Sequence, residues 1–259
     1  MIENDAVGCY DRLMNPHVLL AMRCLGVPDS LACSIALTWS HTSHFIKTQF
    51  GVSTVTYCNT PQTPLFGPGQ GSTTGPTLWK LTFVFLEDSA IEAGIDLSEL
   101  EEPLPQLTLT SVDEEIQLDS SGEAFVDDSN LASPSSLSSN PLEVSAVDQR
   151  MHTASSAVEN LQVLAQRWER ALFSTGGAIN FSKSFWFVFH WNWKGGIPYL
   201  VNPLQSVQLR LTEGNDLNRP VNVPQKSVHD TYRTLGVHIS PSGDNGGSYK
   251  VLLAKAQDY

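Results

Sequence analysis

The sequence predicts an α+β fold, an antiparallel sheet with helices packed on one face. Two patterns carry that prediction. Val158, Leu161, Leu164, Trp168 and Leu172 recur every three to four residues, the apolar stripe of an amphipathic helix of about 25 residues that stops at Gly176-Gly177. The C-terminal third then turns β-rich. Phe185 to Trp191 is too aromatic and too short for a helix and reads as a buried strand, and Ile197–Val201 and Val207–Leu211 alternate as further strands. Trp186, Trp191 and Trp193 read as core in preference to a base-stacking platform.

The remaining elements come in chain order. Pro16 stops the opening segment, and residues 17–25 have helical apolar spacing that ends at Gly26, followed by Pro28. Asp29 or Ser30 caps a second helix over Leu31–Trp39. Phe45–Thr48 and Val52–Tyr57 read as two short strands turning at Gly51. After the Gly67-Pro68-Gly69 punctuation, Ser72 opens a helix through Leu78, Leu81 and Phe83. Residues 132–141 form a flexible Ser/Pro linker. Tyr232–Ser240, with the turn residues Pro241 to Asp244 behind it, reads as one arm of a hairpin.

Composition bounds the function. The chain has 259 residues, 41% of them apolar, enough for one sizeable core, and no apolar run near the ~20 residues a membrane span needs. The N-terminus has neither a basic nor an apolar signal region. Cys9, Cys24, Cys33 and Cys58 show no Cys-x-x-Cys spacing, which argues against a zinc module or a disulfide framework. His41 and His44 have no ligand-spaced partner and read as structural. These features fit a soluble protein of a reducing compartment, the cytoplasm or nucleus.

Net charge is −12, an unfavourable balance for a nucleic-acid enzyme. Its distribution is uneven. Residues 81–148 hold 16 acids and no Lys or Arg, leaving 15 bases against 11 acids elsewhere, a remainder of +4. The acidic block reads as a solvated excursion, poorly packed over 86–119 and 132–147.

Two carboxylate clusters, Asp5 in Asn4-Asp5-Ala6-Val7-Gly8-Cys9-Tyr10-Asp11-Arg12 and Asp127-Asp128 in Ala124-Phe125-Val126-Asp127-Asp128, are the kind of donor set that a two-metal phosphoryl-transfer site gathers from separate segments. Between them lies the glycine loop Gly67-Pro68-Gly69-Gln70-Gly71-Ser72; beyond them come Asn180-Phe181-Ser182-Lys183 and Tyr232-Arg233-Thr234-Leu235-Gly236. The glycine loop has neither Walker A nor dinucleotide-fold spacing. In this order the segments resemble motifs A to E of the polymerase palm of a retroelement reverse transcriptase, non-LTR-like, across roughly residues 2–240.

The resemblance implies an RNA-directed DNA polymerase acting on an RNA template, a DNA primer and deoxynucleoside triphosphates with two Mg²⁺ ions, Mn²⁺ being able to replace them. Asp5, Asp127 and Asp128 would be metal ligands, Asp128 the weaker one. Tyr10 would be a steric gate against the 2′-hydroxyl, and Gln70, Gly71 and Ser72 would approach the template base and incoming nucleotide. Lys183 would meet the departing pyrophosphate, and Leu235 and Gly236 would belong to the primer grip.

The implied division is a palm with motifs A and B over 1–85, an acidic excursion over 86–147 holding the motif C hairpin near 121–131, a palm with motifs D and E over 148–245, and the start of a truncated thumb over 246–259. Fingers and most of the thumb are missing from this pattern, and the long acidic excursion departs from the family. No endonuclease, RNase H or integrase pattern is visible. Asp11, after Tyr10, keeps open an RNA-templated RNA polymerase. A degenerate or domesticated palm acting as a binding module is the other alternative.

Overall fold

The computed structural model describes residues 1–62, 65–69, 72–92, 106–110, 115–119, 122–125, 128–132, 146–200, 207–214, 216–234 and 237–257. In chain order the elements are β1 (Ile2–Asp5), α1 (Asn15–Cys24), α2 (Asp29–Ser40), β2 (Ser43–Thr48), β3 (Gly51–Cys58), α3 (Gly75–Glu92), β4 (Gln106–Thr110), β5 (Glu115–Asp119), β6 (Gly122–Phe125), β7 (Asp128–Leu131), α4 (Ala146–Ser174), β8 (Phe185–Trp186), β9 (Trp191–Lys194), β10 (Ile197–Leu200), β11 (Leu209–Glu213), β12 (Asp216–Val223), β13 (Tyr232–Thr234), β14 (Val237–Ile239) and α5 (Gly246–Gln257). The fold is α+β with antiparallel strand pairing. Among the described residues no helix is long and apolar enough to cross a membrane.

The organising layer is a four-stranded sheet in the order β6-β7-β1-β8, with both neighbours of β1 antiparallel to it. Strand alternation sends Ile2 and Asn4 to the buried side of β1, while Glu3 and Asp5 are only partly covered. On the buried side Ile2 joins one apolar cluster with Leu78 and Trp79 of α3 and with Leu161, Ala165, Trp168 and Leu172 of α4. Phe83 and Trp168 bring ring centroids to 4.9 Å. Burying a set of this kind contributes roughly 1.5–3 kcal/mol per large side chain, so α3 and α4 are the principal clamps on the sheet.

Helix α1 begins with Pro16 in its first turn, where a missing N–H costs nothing, and closes before Gly26, whose φ of 79° no β-carbon-bearing residue adopts easily. Helix α4, 29 residues long, also closes the edge of another ribbon. Gln166 accepts a hydrogen bond from the Thr212 N–H at 2.8 Å and donates to the Thr212 carbonyl at 3.4 Å. Gln162 does the same for Arg210, accepting from its N–H at 2.7 Å and donating to its carbonyl. The buried Glu169 carboxylate accepts from the Gly214 N–H at 2.8 Å. Side chains one helical turn apart thus stand in for a neighbouring strand along β11, leaving that edge protected.

Several details differ from the sequence reading. Helix α3 runs through Glu92, so the expected boundary near residue 85 falls inside a helix. Part of the acidic block is ordered as the β4–β5 hairpin. Strand β12 pairs β11 through a segment whose Arg219-Pro220 gave no strand signal. Tyr232–Ser240 is both arms of a hairpin, closing across Thr234↔Val237. Of the Ser/Pro linker, residues 133–141 lie outside the described residues.

The aromatic segment also divides. Trp186 is fully buried, and its indole N–H donates to the Val223 carbonyl at 3.0 Å. Trp191 and Trp193 are exposed, which corrects their reading as core. Of this segment Phe185–Trp186 pairs with β1; the chain then leaves the sheet and turns back at Gly195-Gly196 in the separate β9–β10 hairpin.

Candidate functional site

Strand β1 ends at Asp5, and the segment from Ala178 to Ser184 holds its carboxylate in place. That segment continues the antiparallel pairing past the strand end: the Val7 N–H donates to the Ala178 carbonyl at 2.8 Å, and the Asn180 N–H to the Asp5 carbonyl at 2.7 Å. The Asn180 carbonyl then collects the Lys183 and Ser184 N–H groups at 3.0 and 2.9 Å, folding residues 180–184 into a turn. The Ser184 hydroxyl accepts from the Asp5 N–H at 3.3 Å. This turn aims two side chains at one oxygen. Asn180 Nδ2 donates to Asp5 Oδ2 at 3.0 Å, and Lys183 Nζ lies 3.1 Å from the same atom. The pair is asymmetric: Asp5 is 16% exposed and Lys183 67%, so water screens the ammonium and the contact orients more than it stabilises.

Asp128 begins β7 and is the register partner of Asp5 across the antiparallel pair. Strand β6 pairs β7 antiparallel, with Phe125 opposite Asp128. Asp127 itself lies outside the described residues. Among the described residues no group of three or more His, Cys, Asp or Glu side chains could hold a metal ion; Asp5 is the member of the expected carboxylate set whose side chain is described.

Tyr10 meets the glycine loop on two sides. A β-carbon at Gly67 would overlap the Tyr10 carbonyl oxygen, and Gly67 has φ 69°. A β-carbon at Gly75 would press on the Tyr10 ring at 3.3 Å. Gly67 therefore needs glycine for the loop to lie against this tyrosine, whereas a side chain at Gly75 would require the ring to give by a few tenths of an ångström. Ser72 lies just before α3, its hydroxyl accepting from the Thr74 N–H at 3.3 Å and lying 2.8 Å from the Thr74 hydroxyl. Gln70 and Gly71 lie outside the described residues.

The outer face of β1 is covered at its other end. Glu3 pairs in register with Phe185, and Phe185 packs with Phe187, Val228 and Tyr232 in a second small apolar cluster. Thr234 donates to Glu3 Oε1 at 2.7 Å, tying the β13–β14 hairpin to the strand that carries Asp5. Lys226 Nζ sits 3.4 Å above the Phe185 ring centroid. Burial lowers the Lys226 pKa below the usual lysine range, against the pull of Glu3 and Asp230. Burial, and then the Glu3 charge, raises the Tyr232 hydroxyl well above its ordinary value. Leu235 and Gly236 lie outside the described residues, between Thr234 and Val237.

Asp5, Lys183 and the Asp128 backbone are thus adjacent, Tyr10 backs onto the glycine loop, and the β13–β14 hairpin is anchored two residues from Asp5. Sequence reasoning did not single out Asn180, Ser184, Glu3 or Thr234. For Glu3 the signal was its two-residue spacing from Asp5, which puts both on one face of a strand; for Asn180 a single sequence offers only its place three residues before Lys183. No protein-family model matches the chain, and no curated protein is similar to it at a significant level.

Proposed function

We propose that this chain is the palm of an RNA-directed DNA polymerase, with Asp5, Asp127 and Asp128 as its metal-binding carboxylates. The observation that carries the proposal is the register Asp5↔Asp128 on adjacent antiparallel strands, with Lys183 at 3.1 Å from the Asp5 carboxylate. Segments 123 and 178 residues downstream of Asp5 in the sequence meet at one strand end, and each resembles a different polymerase motif.

The donors suit a hard divalent cation: carboxylate oxygens, with no thiolate or imidazole among them. Asp5 would hold one from β1, and Asp127 and Asp128 from the β6–β7 hairpin. When bound, magnesium, or manganese in its place, supplies charge neutralisation at the transferring phosphate.

The primer 3′-oxygen would form a bond to the α-phosphorus of a deoxynucleoside triphosphate as the bond to the β-phosphate oxygen breaks and pyrophosphate leaves. Lys183 would meet the negative charge on that leaving group. The Tyr10 ring, backed by Gly75, would bar a ribose 2′-hydroxyl by shape. The β13–β14 hairpin, fixed through Thr234 to Glu3, would hold the primer end with Leu235 and Gly236.

Two measurements test the proposal. Mn²⁺ added to the chain should broaden NMR signals of residues 3–7, and Asp5→Asn should weaken that binding. In primer extension on an RNA template with Mg²⁺, Asp127→Asn should remove activity that the parent chain shows. Mn²⁺ binding that is indifferent to Asp5→Asn, or extension that survives Asp127→Asn, would sink the assignment.

A further inference from the structure

Asn180 grips Asp5 at both ends. Its backbone N–H donates to the Asp5 carbonyl at 2.7 Å, and its side-chain Nδ2 donates to Asp5 Oδ2 at 3.0 Å. The same carboxylate oxygen meets Lys183 Nζ at 3.1 Å. Among the described residues Oδ1, the other oxygen, has no hydrogen bond or ion pair. The last torsion of an aspartate is broad and roughly two-fold, so an untethered carboxylate offers either oxygen equally. Here the two are made different.

The amide itself is held in one direction. Ser182 Oγ donates to Asn180 Oδ1 at 2.7 Å. A hydroxyl gives or accepts a proton, so Ser182 alone would suit either end of the amide; an ionised carboxylate only accepts, and a reversed amide would set oxygen against oxygen. The bonds therefore run one way, from Ser182 to Asn180 to Asp5, and each polarises the next. The Asn180 carbonyl also collects the N–H groups of Lys183 and Ser184 and, at 2.9 Å, the Ser184 hydroxyl, which fixes the turn that carries the amide. Since Lys183 is mostly exposed and Asn180 half-buried, the amide is the more constant of the two donors on Oδ2.

The turn approaches Asp5 from one flank. In the sheet β1 lies between β7 and β8, and residues 178–180 extend the β8 side through the Ala6↔Ile179 bridge. Asp128 stands opposite Asp5 on the other flank. An oxygen drawn toward the turn leaves its twin for the β7 side.

We infer that Asn180 is a positioning residue for the cation: by holding Asp5 Oδ2 on the flank away from β7, it makes Oδ1 the oxygen that takes a divalent cation shared with the β7 side. This role presupposes that Asp5 is a metal ligand, as proposed above. Outer partners that orient a ligating carboxylate are worth about 10- to 100-fold in metal affinity.

The test is the Mn²⁺ affinity of the full chain, read from the relaxation of water protons, together with a Mg²⁺ titration followed at the Asn180 side-chain amide signals by NMR. In the parent those signals should shift with Mg²⁺, because Oδ2 loses charge when Oδ1 binds. Asn180→Ala should weaken Mn²⁺ binding about tenfold with an unchanged circular dichroism spectrum, and Ser182→Ala, which only loosens the amide, about twofold. Asp5→Asn separates the two readings. If the parent binds no Mn²⁺, or if Asp5→Asn leaves its affinity unchanged, Asp5 is not a ligand and both readings fall. If Asp5→Asn lowers the affinity while folded Asn180→Ala binds as the parent does, the positioning role alone is overturned. Should Asn180→Ala fail to fold, parental affinity in Ser182→Ala with unshifted Asn180 amide signals in the parent is equally decisive against it.

Discussion

Along β1, Ile2 and Asn4 face helices α3 and α4, whereas Glu3 and Asp5, each one residue away, face the turn at 180–184 and the β13–β14 hairpin. Four consecutive residues thus divide between two jobs. Ile2 joins Trp79, Trp168 and Leu172 in the apolar core, and Asn4 lines a cavity with the same side chains that Asp5 also borders; the outer pair's side chains meet hydroxyl, amide and ammonium groups from segments far away in the sequence. Because successive side chains of a strand point to opposite faces, the packing that fixes the strand does not intrude on the groups that would do chemistry. The outer face can therefore carry charge while the inner face holds the fold.

That division can be broken most sharply from the outer side. Asp5→Asn keeps size and hydrogen-bonding capacity but removes a charge, so primer extension should fall by roughly two or more orders of magnitude with the thermal midpoint little changed. A large loss of stability instead would show Asp5 to be structural. On the inner side the effects should be reversed in kind. Trp186→Ala removes a fully buried indole and its hydrogen bond to Val223, which should cost about 3–5 kcal/mol in denaturant unfolding. A loss below about 1 kcal/mol would mean that the sheet is not clamped as described.

Lys183→Ala tests the boundary between the two faces. The side chain is mostly exposed, so stability should move by less than about 1 kcal/mol, while extension slows by about tenfold and is not abolished. Equal losses of rate in Lys183→Ala and Lys183→Arg would weaken the role given to its charge.

The last expected effect is the most specific. Asn4 is buried with neither amide atom hydrogen-bonded among the described residues, and the indole N–H of Trp79, which lines the same cavity, is likewise unpartnered. Since an unpaired buried amide carries its full desolvation cost, Asn4→Leu should be neutral or stabilising by up to about 2 kcal/mol. Destabilisation on this substitution would reveal a polar partner for Asn4 in the core, and the inner face would then be less purely apolar in its role.

How much of this was legible depended on whether the determining forces are local. Helices α1, α2 and α4 were readable because an apolar stripe, Pro16 and Gly26 act within a few residues of themselves. Strand β12 was not, because a segment holding Arg219-Pro220 forms a strand only when a partner satisfies its backbone, and the short alternation of β4 and β5 was hidden by the acids around it. Trp191 and Trp193 misled for a related reason: ring chemistry favours burial, but burial requires a second surface, and a hairpin that leaves the sheet meets none among the described residues. In the candidate site, Asp5, Tyr10, Asp128 and Lys183 were visible as residue types in a suggestive order. That Asn180 and Lys183 converge on one oxygen of Asp5, and that Asp128 lies across from it, could not be.

The sequence by itself determined the α+β class, the helical stripes, the alternation that separates Glu3 and Asp5 from Ile2 and Asn4, and the concentration of acid before residue 148, since each depends on neighbours along the chain. Only the tertiary structure decided which strands lie beside β1, that Gln162 and Gln166 seal the edge of β11, and that Thr234 reaches Glu3. Those are contacts between segments tens to hundreds of residues apart, selected by which surfaces bury together once the whole chain has folded.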